Sequence, residues 1–439
     1  MSRQKKRELL NAIKLVYNGH KDIKEQLEND NDEVVKECLI TAQENAIQIG
    51  NVIEQTEGEG TKTVSLLEEY CELLYQVSIS SEKDSYKIYE LLNSKMIEIE
   101  NCFQNEFDMN RLEIAFFPYK AAMWDSLESI WLAASEDPGC DCYVVPIPYF
   151  DKHPDGTFQQ MYYDGGQFPD YVPITRWEDY NPEDRKPDVI YIHNPYDNGN
   201  RVTSIHPDYY SSRLKKYTSM LVYVPYFVVN NEVQEDLCIC SGTIYADKVI
   251  VQSEEVKKLY IDILEKWIEE NNFQSLFTDL NDKFLALGSP KFDKVINTKR
   301  ETVQIPVEWE KLIYKQDGSR GRVILYNTSI GALLKHKEQM IAKLKSVIEA
   351  FKKSDDIILL WRPHPLMEST IASMRPQLLN EYELLVEGYK QEGWGIYDDT
   401  PDVHRAIAIS DAYYGDESSL VAMYKITGKP IMIQNPNIV

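Results

Sequence analysis

A histidine set between two prolines is the side chain best placed for chemistry in this 439-residue sequence. The segment "LLWRPHPLME" (359–368) drives an apolar run into Arg362 and then His364, with Pro363 and Pro365 on either side. Proline fixes its own backbone and restricts the residue before it, so the imidazole leaves the strand on a constrained main chain. A strand-end histidine bonded to a carbonyl is the plain alternative. A second stretch, "SDAYYGDESSLVAMYKITGKPIMI" (410–433), ends an apolar strand at Gly415 and opens a helix with Asp416, Glu417, Ser418 and Ser419. Free N–H groups and partial positive charge at a helix start suit a phosphate. An N-cap role accounts for one serine but not for two. The acidic pair opposes an anion unless Glu417 binds something else, such as ligand hydroxyls. The turn "LGSPKFDKV" (287–295) is weaker taken alone.

These residues need strands to carry them. From residue 110 onward, apolar runs alternate with helical stretches: 111–119, 141–149, 187–193, 219–226, 247–253 and 284–290, then 321–327, 356–364, 393–399, 406–415 and 429–434. Continuous runs separated by helices predict buried parallel strands, hence two doubly wound α/β units in tandem. Ligands should sit in the cleft between the carboxyl ends of the two sheets. The charged stretch 296–320 is the expected joint, and the Tyr-rich insertion 159–187 is expected to rim the cleft.

Residues 1–108 predict helix throughout. Leu9, Ile13, Val16, Ile23 and Leu27 keep helical spacing, as do Val34, Cys38, Ala42 and Ile49. Breaks at 56–62 and 78–84, the latter with capping serines, divide the region into four amphipathic helices. Their stripes should pack as a bundle, on the α/β body or on another subunit. The expected domains are 1–108, helical; 109–296, Rossmann-like; and 297–439, Rossmann-like.

Composition narrows the function classes. A net charge of −24 argues against a general nucleic-acid binder. The seven cysteines lack histidines at zinc spacing, so reduced core thiols are expected and no metal or cofactor. The 29 tyrosines suggest clefts with polar-tipped walls. No signal peptide opens the chain and no apolar run reaches membrane-spanning length, which predicts a cytoplasmic protein. The basic opening "SRQKKRELL" leaves peripheral contact with an anionic membrane open, and the helical region leaves a homodimer open.

Taken together, "LGSPKFD", "VILYNTS", "LLWRPHP" and the 410–433 block, in that order over roughly 220–434, resemble the CDP-glycerol glycerophosphotransferase family of teichoic-acid-type polymer synthesis, whose fold is GT-B. The resemblance implies a cytidine diphosphate donor held mainly by the C-terminal domain and a polymer or glycan acceptor. It implies that His364 is an essential histidine near the donor phosphates, and that Ser418 and Ser419 are phosphate ligands. Arg362, Thr328, Ser329 and Glu417 complete the expected donor site. The chain departs from the family where Trp-His-Gly-Thr usually follows an N-terminal strand, carrying Tyr223, Val224, Pro225 and Tyr226 instead. Ile330 and Gly331 stand where the family tends to have Trp and Arg. His193, in "YIHNPYDN" at another strand end, is the candidate base for the acceptor; a structural histidine capped by Asn194 or Asp197 is the alternative. GT-B chains usually end in helices that cross back, so either the helical region takes that part or the chain is shortened. The expected function is transfer of a glycerophosphate or related alditol-phosphate unit. The alternatives are a nucleotide-sugar-dependent glycosyltransferase and a non-catalytic binding module.

Overall fold

The computed structural model describes residues 1, 3–80, 84–107, 111–153, 155–200, 202–230, 232–273, 279–336, 339–354 and 356–434. The expected domain boundary at 108/109, part of the 78–84 turn and the first residue of the basic opening lie outside them.

Helical spacing in the first hundred residues becomes four antiparallel helices: α1 (Arg3–Glu28), α2 (Asp32–Glu57), α3 (Lys62–Ile79) and α4 (Ser85–Glu106). Thr61 caps α3 by accepting the Val64 N–H, and Asp84, rather than a serine, caps α4 through the Lys87 N–H. Each helix touches the next and α1 closes the ring on α4. The apolar stripes therefore pack on one another, around Ile13, Ile53, Tyr70, Leu92, Ile99 and Phe103, and not on the α/β body as one expectation had it. A short stripe on each of four helices is enough to close a core of its own. One polar layer crosses it: His20 Nδ1–H donates to Asn93 Oδ1 (2.7 Å), and His20 Nε2 accepts from Tyr70 OH (2.6 Å). With both nitrogens used, the buried ring stays neutral, and burial lowers its pKa.

The apolar runs form two parallel sheets. In the first, β1 (Leu112–Phe117), β2 (Cys140–Val144), β5 (Val189–Ile192), β7 (Met220–Tyr223), β8 (Lys248–Val251) and β9 (Phe284–Ala286) take the order β2-β1-β5-β7-β8-β9. In the second, β10 (Arg322–Thr328), β11 (Ile357–Pro363), β12 (Ile396–Tyr397), β13 (Ala412–Gly415) and β14 (Ile431–Ile433) take the order β12-β11-β10-β13-β14. Every pairing in both sheets is parallel. Apolar clusters cover both faces of each sheet, as continuous apolar strands require. The arrangement is GT-B-like: two doubly wound units preceded by an all-α region.

Three expectations change. The run 406–415 was expected to be all strand. Its first half instead belongs to the helix Val403–Ile409, which Asp402 caps through the Arg405 N–H; a short, uniformly apolar run does not separate buried helix from buried strand. The insertion 159–187 folds back on the first sheet. Phe168 and Val172 join its core, Ile174 bridges Val144, and Tyr180 OH donates to Glu113. Only its start, β4 (Phe158–Tyr162), joins β3 (Tyr149–Lys152) and β6 (Thr203–Ile205) in a small antiparallel sheet. Many tyrosines, among them Tyr223, Tyr326, Tyr389 and Tyr413, are core residues rather than cleft walls.

Candidate functional site

Each doubly wound sheet has one point where the strand order reverses, and ligands of open α/β sheets bind there. In the first sheet that point lies between β1 and β5, and it is stoppered. The Tyr119 N–H donates to His193 Nε2 (3.0 Å), and His193 Nδ1–H donates to Ser126 Oγ (2.8 Å), whose own hydroxyl donates to Met123 O (2.7 Å). The ring is fully buried, and burial pushes its pKa down to about 3. His193 is therefore a neutral strut. This corrects the expectation that it is the acceptor base: taking a proton would cost it the Tyr119 bond inside a dry core. Neither Asn194 nor Asp197 caps it; Asp197 accepts from Ser211 N–H and Oγ instead.

The strut has a measurable signature. The folded pKa near 3 lies below the unfolded value of about 6.5. Between these the unfolded chain binds the extra proton, so stability should fall as pH falls, by up to about 1.4 kcal/mol per pH unit. His193→Gln keeps an acceptor for Tyr119 and does not titrate. Urea titrations near pH 7 and near pH 5 should show a flatter pH dependence for the variant; equal slopes would contradict the assignment.

In the second sheet the reversal lies between β10 and β13. Register sets Asn327 opposite Gly415 and Thr328 opposite Pro363, so β10, β11 and β13 end level. Gly415 has φ +150°, and a Cβ there would overlap the backbone of Asn327. Only glycine lets the two strand ends approach this closely.

His364 follows β11 at this edge. Its N–H donates to Thr328 O (2.9 Å), tying it to the end of β10. Nδ1 accepts the Leu366 N–H (3.1 Å), which leaves the proton of the neutral ring on Nε2. The residue is exposed, and partial desolvation lowers its pKa. It presents an oriented Nε2–H donor, aimed as much by the Leu366 amide as by the prolines.

The neighbouring turn is built by side chains the motifs do not single out. Asn327 Nδ2 donates to Arg362 O (2.9 Å), and its Oδ1 accepts from Ser418 Oγ (3.0 Å) and Tyr413 OH (3.3 Å). Buried Lys343 pairs with buried Asp416, whose second oxygen takes the Ser329 N–H (2.8 Å). Lys343 thus removes one of the two acidic charges that oppose an anion here. Exposed Glu417 accepts from Asn230 Nδ2 (2.7 Å) of the first half, and Asn230 Oδ1 accepts from Lys425 (2.6 Å). Ser418 precedes the helix Ser419–Lys425 but makes no side-chain cap, and Ser419 is exposed.

Three expected donor contacts are corrected. The Arg362 guanidinium is buried on Asp398 and Thr400 O (2.8 Å), holding the loop after β12. Thr328 Oγ1 is buried and accepts the Trp361 indole N–H (3.2 Å). Ser329 Oγ accepts the Ala332 N–H (3.1 Å) and caps the next helix. The Arg362 guanidinium is consumed where the strand meets its core, and the Thr328 and Ser329 oxygens serve there as acceptors. His364 stands at the end of β11, and Glu417, Ser418 and Ser419 follow the end of β13, on the other side of β10.

The "LGSPKFDKV" turn serves the joint between the halves. Gly288 (φ +97°) turns the chain into the helix Pro290–Asn297. From it Lys291 reaches both oxygens of Asp125 (2.6 Å), and Asp293 accepts from Ser129 (2.6 Å). His404 of the second half bonds the same Asp125 (2.8 Å). Burial alone would raise the Asp125 pKa; Lys291 and His404 outweigh it and hold it at about 2.

Residues 251–438 match the family described as CDP-Glycerol:Poly(glycerophosphate) glycerophosphotransferase, a stretch that holds β9 and the whole second sheet. The resemblance drawn from the ordered motifs is met there. No curated protein matches. Among solved structures, the chain is similar to the UDP-GlcNAc 2-epimerase from Neisseria meningitidis bound to UDP-GlcNAc (11% identity, 73% of this chain, 82% of that one, TM-score 0.45). It is also similar to the wall teichoic acid polymerase TagF (14% identity, 85% of this chain, 80% of that one, TM-score 0.43).

Proposed function

We propose, with the glycerophosphotransferase pattern over residues 251–438 as premise, that the chain transfers a glycerophosphate or related alditol-phosphate unit from a CDP-linked donor to an acceptor hydroxyl. The observation that carries this is the reversal point of the second sheet, where β10 separates His364, at the end of β11 with its Nε2–H left to donate, from the Gly415–Ser419 turn that follows β13. Residues 297–439 form the donor side and 109–296 the acceptor side. The acceptor oxygen attacks the outer phosphorus and the bond to the bridging oxygen breaks. CMP leaves with the electron pair, and the acceptor proton passes to a base. His364 donates to the donor phosphates, Ser419 supplies a hydroxyl and Ser418 a second by turning from Asn327 Oδ1 to the ligand, their amides add donors, and Glu417 takes ligand hydroxyls. The acceptor is a polymer or glycan, and the work is done in the cytoplasm, at most peripherally at a membrane. Among the described residues no helix is long and apolar enough to cross one.

One observation favours a second reading, donor binding without turnover: the reversal point of the first sheet is closed by His193 and Tyr119. Incubation with CDP-glycerol and a glycerophosphate-polymer acceptor decides between them. Release of CMP supports transfer, release of a nucleoside diphosphate supports a glycosyltransferase, and tight binding without release supports the second reading.

The donor site itself has a separate test. Two hydrogen bonds to charged oxygens are each worth about 1.5–3 kcal/mol, so Ser418→Ala with Ser419→Ala should weaken CDP binding at least about tenfold. A thermal-shift titration with CDP-, UDP- and GDP-linked ligands reads this; unchanged affinity in the double variant would remove both serines from the site.

A further inference from the structure

The helical region carries a feature that the donor site does not use. A groove of about 470 Å³ runs between α2 and α3 on the outside of the bundle. Its lining positions on α2 are 43, 46, 47, 50, 51 and 54, and on α3 they are 64, 67, 68, 71, 72 and 75. Both sets follow the three-four spacing with which a helix meets another helix along a continuous seam. Among the described residues no third helix fills the seam. Ala46 and Gly50 form a low floor, and a Cβ on Gly50 would meet nothing within 4 Å. Ile47 (49% exposed) and Tyr75 (53% exposed) stand at the walls, more open than packed apolar side chains should be. Each seam covers about three helical turns, roughly 16 Å at 1.5 Å per residue, a length suited to one short helix.

The rim settles the chemistry of the occupant. Glu54, Glu68 and Glu72 line the groove, with no Lys, Arg or His among its lining residues. Glu68 and Glu72 are spaced i, i+4 along one edge, so a partner is matched by cations at the same spacing. We propose that the α2–α3 groove docks an amphipathic helix of a partner protein, with its apolar stripe on Ala46, Gly50, Ile47 and Tyr75 and its Lys or Arg residues facing Glu68 and Glu72. This is the helix-in-groove mode of recognition, with acidic edges that select against anionic helices and anionic membrane surfaces.

A dye-labelled peptide with a leucine stripe flanked by lysines, a scrambled peptide of equal composition, and the full-length chain make the test, read by fluorescence anisotropy at physiological salt. The striped peptide should bind, and the scrambled one should bind about tenfold or more weakly. Glu68→Gln with Glu72→Gln, and separately Ile47→Ser, should each weaken the striped peptide about tenfold; these exposed positions leave the bundle core in place. Absence of binding, equal binding of the scrambled peptide, or affinity unchanged in the variants would overturn the proposal, the latter two by showing only the pull of an acidic chain on a basic peptide. A free chain that sediments as a dimer, and as a monomer after Ile47→Ser, would put a second copy in the groove and overturn it as well.

Discussion

Replacing His364 with Ala is expected to lower donor turnover by about 10²–10⁴-fold, the usual worth of a positioned proton donor or acceptor, while donor affinity changes little. The split follows from geometry. Because Nδ1 is occupied by the Leu366 N–H, the ring offers its one proton at Nε2, and the exposed edge of the second sheet is the place it can offer it. A donor aimed at charge that builds on the leaving phosphate acts in the transition state more than in the ground state, so the loss should fall on kcat. His364→Asn, which can also donate from an amide, should recover part of the rate. Equal loss of kcat and affinity would make His364 a binding residue, and an unchanged rate would take it out of the chemistry.

Lys343→Met is expected to destabilise the second half strongly, costing about 3–5 kcal/mol. Lys343 and Asp416 are both nearly sealed from solvent, with side chains 6% and 4% exposed. Removing the ammonium leaves a carboxylate in the core with only the Ser329 N–H to satisfy it. Asp416→Asn in the same chain removes the stranded charge and should return a large part of the loss. Urea unfolding of the single and double variants checks this, and similar stabilities for the two would deny the pair its role. Since Asp416 also fixes the turn that carries Glu417, Ser418 and Ser419, the single variant should bind CDP more weakly even where it remains folded.

The strands were legible because a doubly wound sheet leaves a strong mark: continuous apolar runs at regular intervals. The edge that carries the candidate site was legible for the same reason, since Arg362, His364 and the Gly415–Ser419 turn all stand where such a run stops. What the side chains do there depends on partners far along the chain. Arg362 looks free for a phosphate until Asp398, 36 residues later, takes it. Lys343 sits in mid-helix with nothing local to connect it with Asp416, 73 residues on. Asn327 is visible as the polar end of "VILYN", yet its role as the link between β10, Arg362 and Ser418 needs the register. His193 had the same strand-end signature as His364. Burial separates them, and burial is set by whether the loop from the neighbouring strand folds over the sheet, as Tyr119 does.

The bundle core draws every one of its side chains from residues before 108, and the sheets draw none of theirs from it. Two cores without a shared side chain can be substituted one at a time without repacking the other. A lineage can rework the outer surface of the helices, or exchange them for another module, without repacking the residues that hold His364 in place.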